Sequence, residues 1–350
     1  LMNLLIARFT KFKYVFLTGH HSLFMACLMS AVLGTAGLSG IELILVGGFL
    51  MGAWSAISPA IGQSYTSKVT DGDEIALGHF GSLGYYLSAW VAKYVGKAEE
   101  STEDIEIPEK WGFLRDSTLS TALTMIVFYL IAAIAAGSEF VATLSGSMSP
   151  YLFAIMSAMN FAVGVAIVYS GVRMILGDLI PAFQGIATKI IPNAIPAVDC
   201  AVFFTYAPTA VVLGFISSFI GGIIGMLILG AVGGVLIIPG LVPHFFCGAT
   251  AGIYGNATGG RRGAAVGAFL NGLAITFLPA LALPVLGQLG FQNTTFGDAD
   301  FAVIGLVLGN AFEWIGMAGI YGVVVIAALV LIIPNFIKTK GKVINYVEEE

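Results

Sequence analysis

The charged residues of this 350-residue chain leave intervals between them that are long enough to cross a lipid bilayer. Residues 14–41 hold no Asp, Glu, Lys or Arg, and neither do 43–67, 117–138, 140–172, 200–260, 263–297 and 314–337. A membrane helix needs about 20 predominantly apolar residues. Six intervals have room for one or two helices each, and the 61 residues of 200–260 have room for up to three. In lipid every backbone N–H and C=O must be paired inside its own segment, so helices are the expected form. The fold class that follows is an all-α polytopic membrane protein.

Composition supports this and closes off other classes. Charged residues make up 10% of the chain, against about 25% in soluble domains, and hydrophobic residues make up 58%. A water-soluble globule this apolar would lack a polar surface, which excludes an ordinary cytosolic enzyme and a disordered chain. A net charge of -5 offers no basic field for phosphates, so a nucleic-acid partner is excluded too. Cys27, Cys200 and Cys247 stand in apolar surroundings with no C-x-x-C spacing, which points to small buried hydrophobes, with no disulfide framework or zinc site.

Spans are expected near 22–38, 41–60, 118–137, 150–172, 209–235, 263–288 and 301–334. The last is long enough for a span preceded by a half-helix. Two stretches fit poorly as full spans. Residues 76–92 are short and glycine-rich, and 236–260 carry Pro239, Pro243 and six glycines. Broken apolar stretches of this kind suggest re-entrant hairpins, tolerated at membrane depth only where they are buried in protein or line a cavity.

Lys and Arg set the expected orientation. Arg8, Lys11 and Lys13 precede the first span. Lys93, Lys97, Lys110 and Arg115 lie in the polar loop 93–116, Arg173 and Lys189 flank an amphipathic segment, and Arg261 and Arg262 precede 263–288. Lys338, Lys340 and Lys342 mark the tail 335–350. These are assigned to the cytoplasm, and 138–149 and 289–300, which lack Lys and Arg, to the outside. The loop 93–116, with seven acids and four bases, reads as a solvated connector or as a docking surface for a cytoplasmic protein. The opening LMNLLIARF resembles the last turns of a helix whose start is absent, so an N-terminally incomplete protein is expected.

Polar groups at membrane depth are functional candidates because burying them is costly. His20 and His21 open the first span, His79 lies in the glycine-rich hairpin, and Asp199 stands at the edge of the longest uncharged interval. His244 and Glu313 complete the ionisable set, with Asn160, Asn256, Asn271 and Asn310 as uncharged candidates. Blander roles are open to each. The paired histidines suit a headgroup interface, His79 a bond to a backbone carbonyl, Asp199 a helix N-cap, and Glu313 snorkelling at the outer interface. A metal site is not expected, since adjacent histidines on a helix diverge by about 100° and no third ligand is evident. The glycine-rich run 248–272 lacks the G-K-[ST] ending of a phosphate loop. Its spacings, Gly248 with Gly252 and Gly263 with Gly267, suit close helix packing.

Four strings, taken in order, resemble the enzyme IIC membrane component of the ascorbate-type phosphotransferase system, a family related to the galactitol-type IIC components. They are LTGHHSLF (17–24), SYTSKVTDGDEIALGHFGSLGYYLSAW (64–90), the stretch from GVRMILGD to VVLGF (171–215), and the stretch from HFFCGATAG to ITFLPAL (244–281). The resemblance runs over essentially the whole chain. It implies an inverted-repeat transporter, a single integral membrane unit over 1–350 in which a substrate-binding core and a dimerisation part interleave, lacking the first few helices of that architecture.

The implied activity is uptake of L-ascorbate, or a related small polyhydroxylated molecule, coupled to its phosphorylation. The phosphate would come from a phosphocysteine on a cytoplasmic IIB protein, itself served by IIA. The implied setting is the bacterial inner membrane, as a homodimer with no cofactor and with a cytoplasmic C-terminus. Position by position, the family's two binding histidines fall on His20 and His79, and its aspartate on Asp199. Where well-known members carry glutamine four residues after the first histidine and directly after the second, this chain has Phe24 and Phe80. Both positions count as substrate-lining, and the change bears on which substrate is taken. An ion-coupled secondary transporter on a similar scaffold, with Asp199 as the proton or sodium site, is the competing reading. An intramembrane enzyme is disfavoured by the lack of an H-E-x-x-H or G-x-S-x-G motif.

Overall fold

A computed structural model describes residues 1–72, 74–106, 116–288 and 296–336. Parts of the expected loops, 107–115 and 289–295, and the tail from 337 lie outside the described residues. The chain forms twelve helices among the described residues: α1 (Met2–Phe9), α2 (Gly19–Thr35), α3 (Gly40–Thr70), α4 (Ser82–Val95), α5 (Ser117–Ala136), α6 (Ser138–Ser145), α7 (Pro150–Lys189), α8 (Cys200–Phe203), α9 (Pro208–Ala231), α10 (Leu241–Gln288), α11 (Ala299–Ile315) and α12 (Met317–Phe336). Six are long and apolar enough to span a bilayer. The protein is an all-α polytopic membrane protein.

Within this helical body sits a small parallel sheet that sequence periodicity did not reveal. Strands β1 (Tyr14–Phe16) and β2 (Ala76–Leu77) flank β3 (Ile195–Val198), with Tyr14 opposite Ile195 and Leu77 opposite Val198. Residues of β3 bond alternately to either side. Ile195 N–H donates to the Lys13 carbonyl on the β1 side, and Gly78 N–H donates to the Val198 carbonyl on the β2 side. Pro196 therefore turns its missing N–H toward β2, one residue before that strand begins. This explains how a proline occupies a central strand.

α3 supplies a depth scale. Its 31 residues extend about 46 Å. Near its start Glu42 accepts a hydrogen bond from Tyr321. Near its middle the Trp54 indole N–H donates to Asp300. Toward its end the Lys93 ammonium lies 4.5 Å from the centre of the Tyr65 ring. Gln63 donates to the Ile75 carbonyl, so the chain after Asp71 runs back inward along α3. It turns at His79–Gly81 and leaves again as α4, whose first turn meets Asp300 and whose end reaches Tyr65. The stretch 76–92 is thus a hairpin with its tip at the middle of α3. The 14 residues of α4 extend about 21 Å, too short to cross a core of about 30 Å.

The stretch 236–260 divides into a segment without regular secondary structure up to Gly240 and the first arm of α10. That arm ends where Gly259 and Gly260 leave helical geometry. Gly260 has φ +59°, and a Cβ there would meet the Lys97 and Glu100 carbonyls, so the sharp turn requires glycine. Residues 301–334 form a half-helix and a span: α11 begins at mid-depth beside Asp300, and after Gly316 (φ +65°) α12 packs back against α3.

Small residues carry the central packing. Gly214 of α9 lies against Gly248 and Gly252, Gly263 lies against Gly255 and Ala92, and Gly267 lies against Ser88. Both expected glycine pairs are therefore contact surfaces that let backbones approach. The Glu103 carboxylate caps α9 by accepting from the Thr209 and Ala210 N–H groups. Asn256 accepts from Thr102 N–H and donates to Ser101, binding the loop after α4 to the turn of α10.

Candidate functional site

Each strand leads from its carboxyl end to candidate residues. Leu17 N–H donates to the Ala197 carbonyl and extends the β1–β3 pairing to the threshold of α2, where His20 and His21 occupy the first turn. β2 leads through Gly78 to His79 and Phe80, and β3 ends at Val198, one residue before Asp199. The Thr18 hydroxyl donates to the Gly78 carbonyl, which locks the first two lead-ins together. Segments far apart in sequence thus place His20, His21, His79 and Asp199 at one edge of one sheet, level with the middle of α3. This is the membrane counterpart of binding at the carboxyl ends of parallel strands.

Asp199 serves two neighbours. Its Oδ1 accepts from Ala201 N–H and caps α8, and its Oδ2 lies 3.5 Å from His20 Nε2. The capping role raised from the sequence is thus real and uses one oxygen only. His20 and Asp199 keep 61% and 29% of their side-chain surface open, and they form the accessible part of the site. His79 is buried behind them, with a ring nitrogen within 4.8 Å of both an Asp199 oxygen and Cys200 Sγ. Its Nδ1 receives Gly81 N–H at 3.1 Å and lies 2.9 Å from the Tyr85 hydroxyl. The first turns of α2 and α4 both begin here, so two helix N-termini add positive potential.

His21, which matches no binding position of the resembled family, is part of the same cluster. It is buried, its ring centre lies 3.9 Å from that of His79, and its Nδ1 accepts Phe80 N–H at 3.2 Å. The two phenylalanines part company. Phe24 is half exposed on α2, one turn after His20. Phe80 is fully buried, stacked on Phe16 at 4.6 Å and set edge-on to Phe301 at 5.7 Å.

Sequence reasoning placed 289–300 in an outside loop, and so passed over two carboxylates. Asp298 accepts from the Cys247 thiol at 2.6 Å. Asp300, fully buried, accepts from Trp54 Nε1 at 3.0 Å, Ser82 Oγ at 2.7 Å and Leu83 N–H at 3.0 Å, and its own N–H donates to the Phe80 carbonyl. The available signal was their position just before an apolar run, the pattern of a helix start. The other candidates serve packing or lie at the surface. His244 is buried against Ser218 at 2.9 Å, and Asn160 and Glu313 are exposed. Between α1 and β1, the Lys13 ammonium donates to the Ala7 and Arg8 carbonyls. Burial, then the nearby Arg8 charge, lowers its pKa below the usual lysine value.

Residues 1–300 match the family described as the PTS system sugar-specific permease component, EIIC-GAT. The chain is also 25% identical over 294 residues to the Ascorbate-specific PTS system EIIC component of Mycoplasma pneumoniae, a match covering 72% of this chain and 44% of that protein. It thus spans less than half the length of that curated relative. With a polytopic helical fold, a polar cluster at mid-depth and a family match over most of its length, the chain belongs to the sugar-specific permease components of the phosphotransferase system.

Proposed function

We propose that this chain translocates L-ascorbate, or a closely related small polyhydroxylated anion, for phosphorylation by the phosphocysteine of a cytoplasmic IIB protein. The observation that carries the reading is the meeting of His20, His79 and Asp199 at the sheet edge, midway along α3. Asp199 Oδ2 can accept from a substrate hydroxyl, the histidines can bond to its oxygens, and the N-termini of α2 and α4 favour an anion. The permease would hold and orient the hydroxyl that is to be phosphorylated, and the covalent chemistry would belong to IIB. The 25% identical relative named for ascorbate supports this substrate over other sugars.

The setting we propose is the bacterial cytoplasmic membrane, with a homodimer as the working unit, a substrate-binding core and a dimerisation part interleaved along the chain, and the C-terminal tail on the cytoplasmic side. In support of the orientation, Lys93, Lys97, Arg261 and Arg262 gather where α4 ends and α10 turns, since Arg261 N–H donates to the Glu100 carbonyl and Gly96 packs on Gly259. That is the end from which β2 enters the fold, as the positive-inside rule requires of one face.

The test is equilibrium binding of radiolabelled ascorbate to the purified full-length protein, with pentitols and hexitols as competitors. Ascorbate should compete and the neutral polyols should not. Displacement by a polyol at lower concentration than ascorbate would overturn the substrate. An ion-coupled transporter is the second reading, favoured by the buried Asp300 and the partly buried Asp298 close to the site. Uptake that collapses with an uncoupler yet survives loss of IIB would select it.

A further inference from the structure

The tip of the first hairpin points two backbone amides at two imidazoles. Gly81 N–H donates to His79 Nδ1 at 3.1 Å, and Phe80 N–H donates to His21 Nδ1 at 3.2 Å. A backbone N–H can only donate, so each Nδ1 must present its lone pair. A neutral imidazole carries one N–H, and with Nδ1 accepting, that proton sits on Nε2. A protonated ring would set its second N–H against the amide. The Tyr85 hydroxyl, fully buried 2.9 Å from the same Nδ1 of His79, completes the arrangement by donating as well. A Cβ on Gly81 would run into that hydroxyl, so the tip fits around it.

We infer that the hairpin tip fixes His79 and His21 as Nε2–H tautomers, making His79 a dedicated hydrogen-bond donor in the site, with Tyr85 as the positioning residue that holds it so. Asp199 Oδ2 is then the complementary acceptor. A ligand that fits offers a hydroxyl to the carboxylate and a carbonyl or anionic oxygen to the imidazole, which deepens the proposed reading and rests on it for the ligand. The same tautomer answers a question raised by distance alone. His79, Asp199 and Cys200 are spaced closely enough to hold a metal ion, but with Nδ1 engaged and Nε2 protonated, His79 has no free lone pair to give.

The experiment is 15N NMR of the ligand-free, full-length protein labelled at histidine and reconstituted in nanodiscs. Four histidines make assignment by single substitution feasible. His79 and His21 should both show a pyridine-like Nδ1 and a protonated Nε2. A protonated Nδ1 on His79, in either the neutral or the charged ring, overturns the inference without touching the substrate assignment. Conversely, failure to bind ascorbate with both tautomers as stated overturns the substrate alone. In Tyr85→Phe, which preserves the ring, His79 Nδ1 keeps the Gly81 N–H but loses its second donor, so its 15N shift should move toward that of a singly bonded pyridine-like nitrogen and ligand binding should weaken about fivefold to tenfold. A purely structural tyrosine would lower the melting temperature and leave the 15N pattern unmoved, and that result also counts against the proposal.

Discussion

Ser82 donates its hydroxyl proton to the Asp300 carboxylate at 2.7 Å, and this bond ties the start of α11 to the first turn of α4. The same carboxylate holds Trp54 of α3 and the Leu83 amide, so three helices meet on one side chain. Asp300→Ala leaves these donors buried and unpaired, at an expected cost of about 3 kcal/mol or more. Asp300→Asn keeps one acceptor and should fall between. Thermal unfolding in detergent measures both, and a melting curve for the alanine variant that overlays the parent would disprove the role.

Asp199 and His79 are expected to matter for transport more than for folding. Asp199→Asn and His79→Ala should each reduce uptake at least about 100-fold, as expected where a buried site loses a hydrogen-bonding partner. Both variants should still insert, as read by membrane fractionation. Wild-type uptake by both would sink the site.

Phe24 and Phe80 should respond in opposite ways to restoration of glutamine. Phe80 is packed between Phe16 and Phe301, and Phe80→Gln removes that stacking and buries an amide, which should cost about 3 kcal/mol. Phe24 is half exposed near His20, so Phe24→Gln should fold normally and alter the ranking of competing polyols in a binding assay. Equal melting temperatures for the two variants would contradict this division.

Glycines separate into two classes that alanine scanning can distinguish. A Cβ at Gly272 would collide with the Ser218 carbonyl, so Gly272→Ala should destabilise by about 2 kcal/mol. Gly48 and Gly164 lie inside helices with nothing within 4 Å of an added Cβ. Alanine there should be neutral or stabilise by about 0.5–1 kcal/mol. Similar losses at all three positions would show that helix packing does not set the difference.

What could be read from the sequence follows the range of the forces involved. Most spans and the first hairpin were legible because the cost of charge in lipid is written into every uncharged interval, but the span expected at 22–38 is the 17-residue α2, which starts at mid-depth and is not among the six helices long enough to cross. His20, His79 and Asp199 stood out because they are polar where polarity is expensive. The strands were hidden, since runs of two to four residues such as Ala76–Leu77 carry no periodicity. Asp298 and Asp300 were hidden because they lie at the end of an interval, where a carboxylate looks solvated. Only the donors from Trp54, Ser82 and Leu83 reveal that Asp300 is interior. His21 stood out as polar, but its partner did not, because that partner is an amide 59 residues away.

The three-stranded sheet also sets an order of events in biosynthesis. Tyr14 pairs with Ile195, and Ala76 with Ala197, so the edge that carries His20 and His79 cannot close until β3 has left the ribosome. Until then α2 and α4 sit in or near the bilayer with their polar first turns unmatched. Closure over so long a separation is slow compared with helix formation. During that interval the nascent chain would expose two imidazole-bearing helix starts with no partner, which makes it a natural client for an insertase or a membrane chaperone that shields polar groups at mid-membrane.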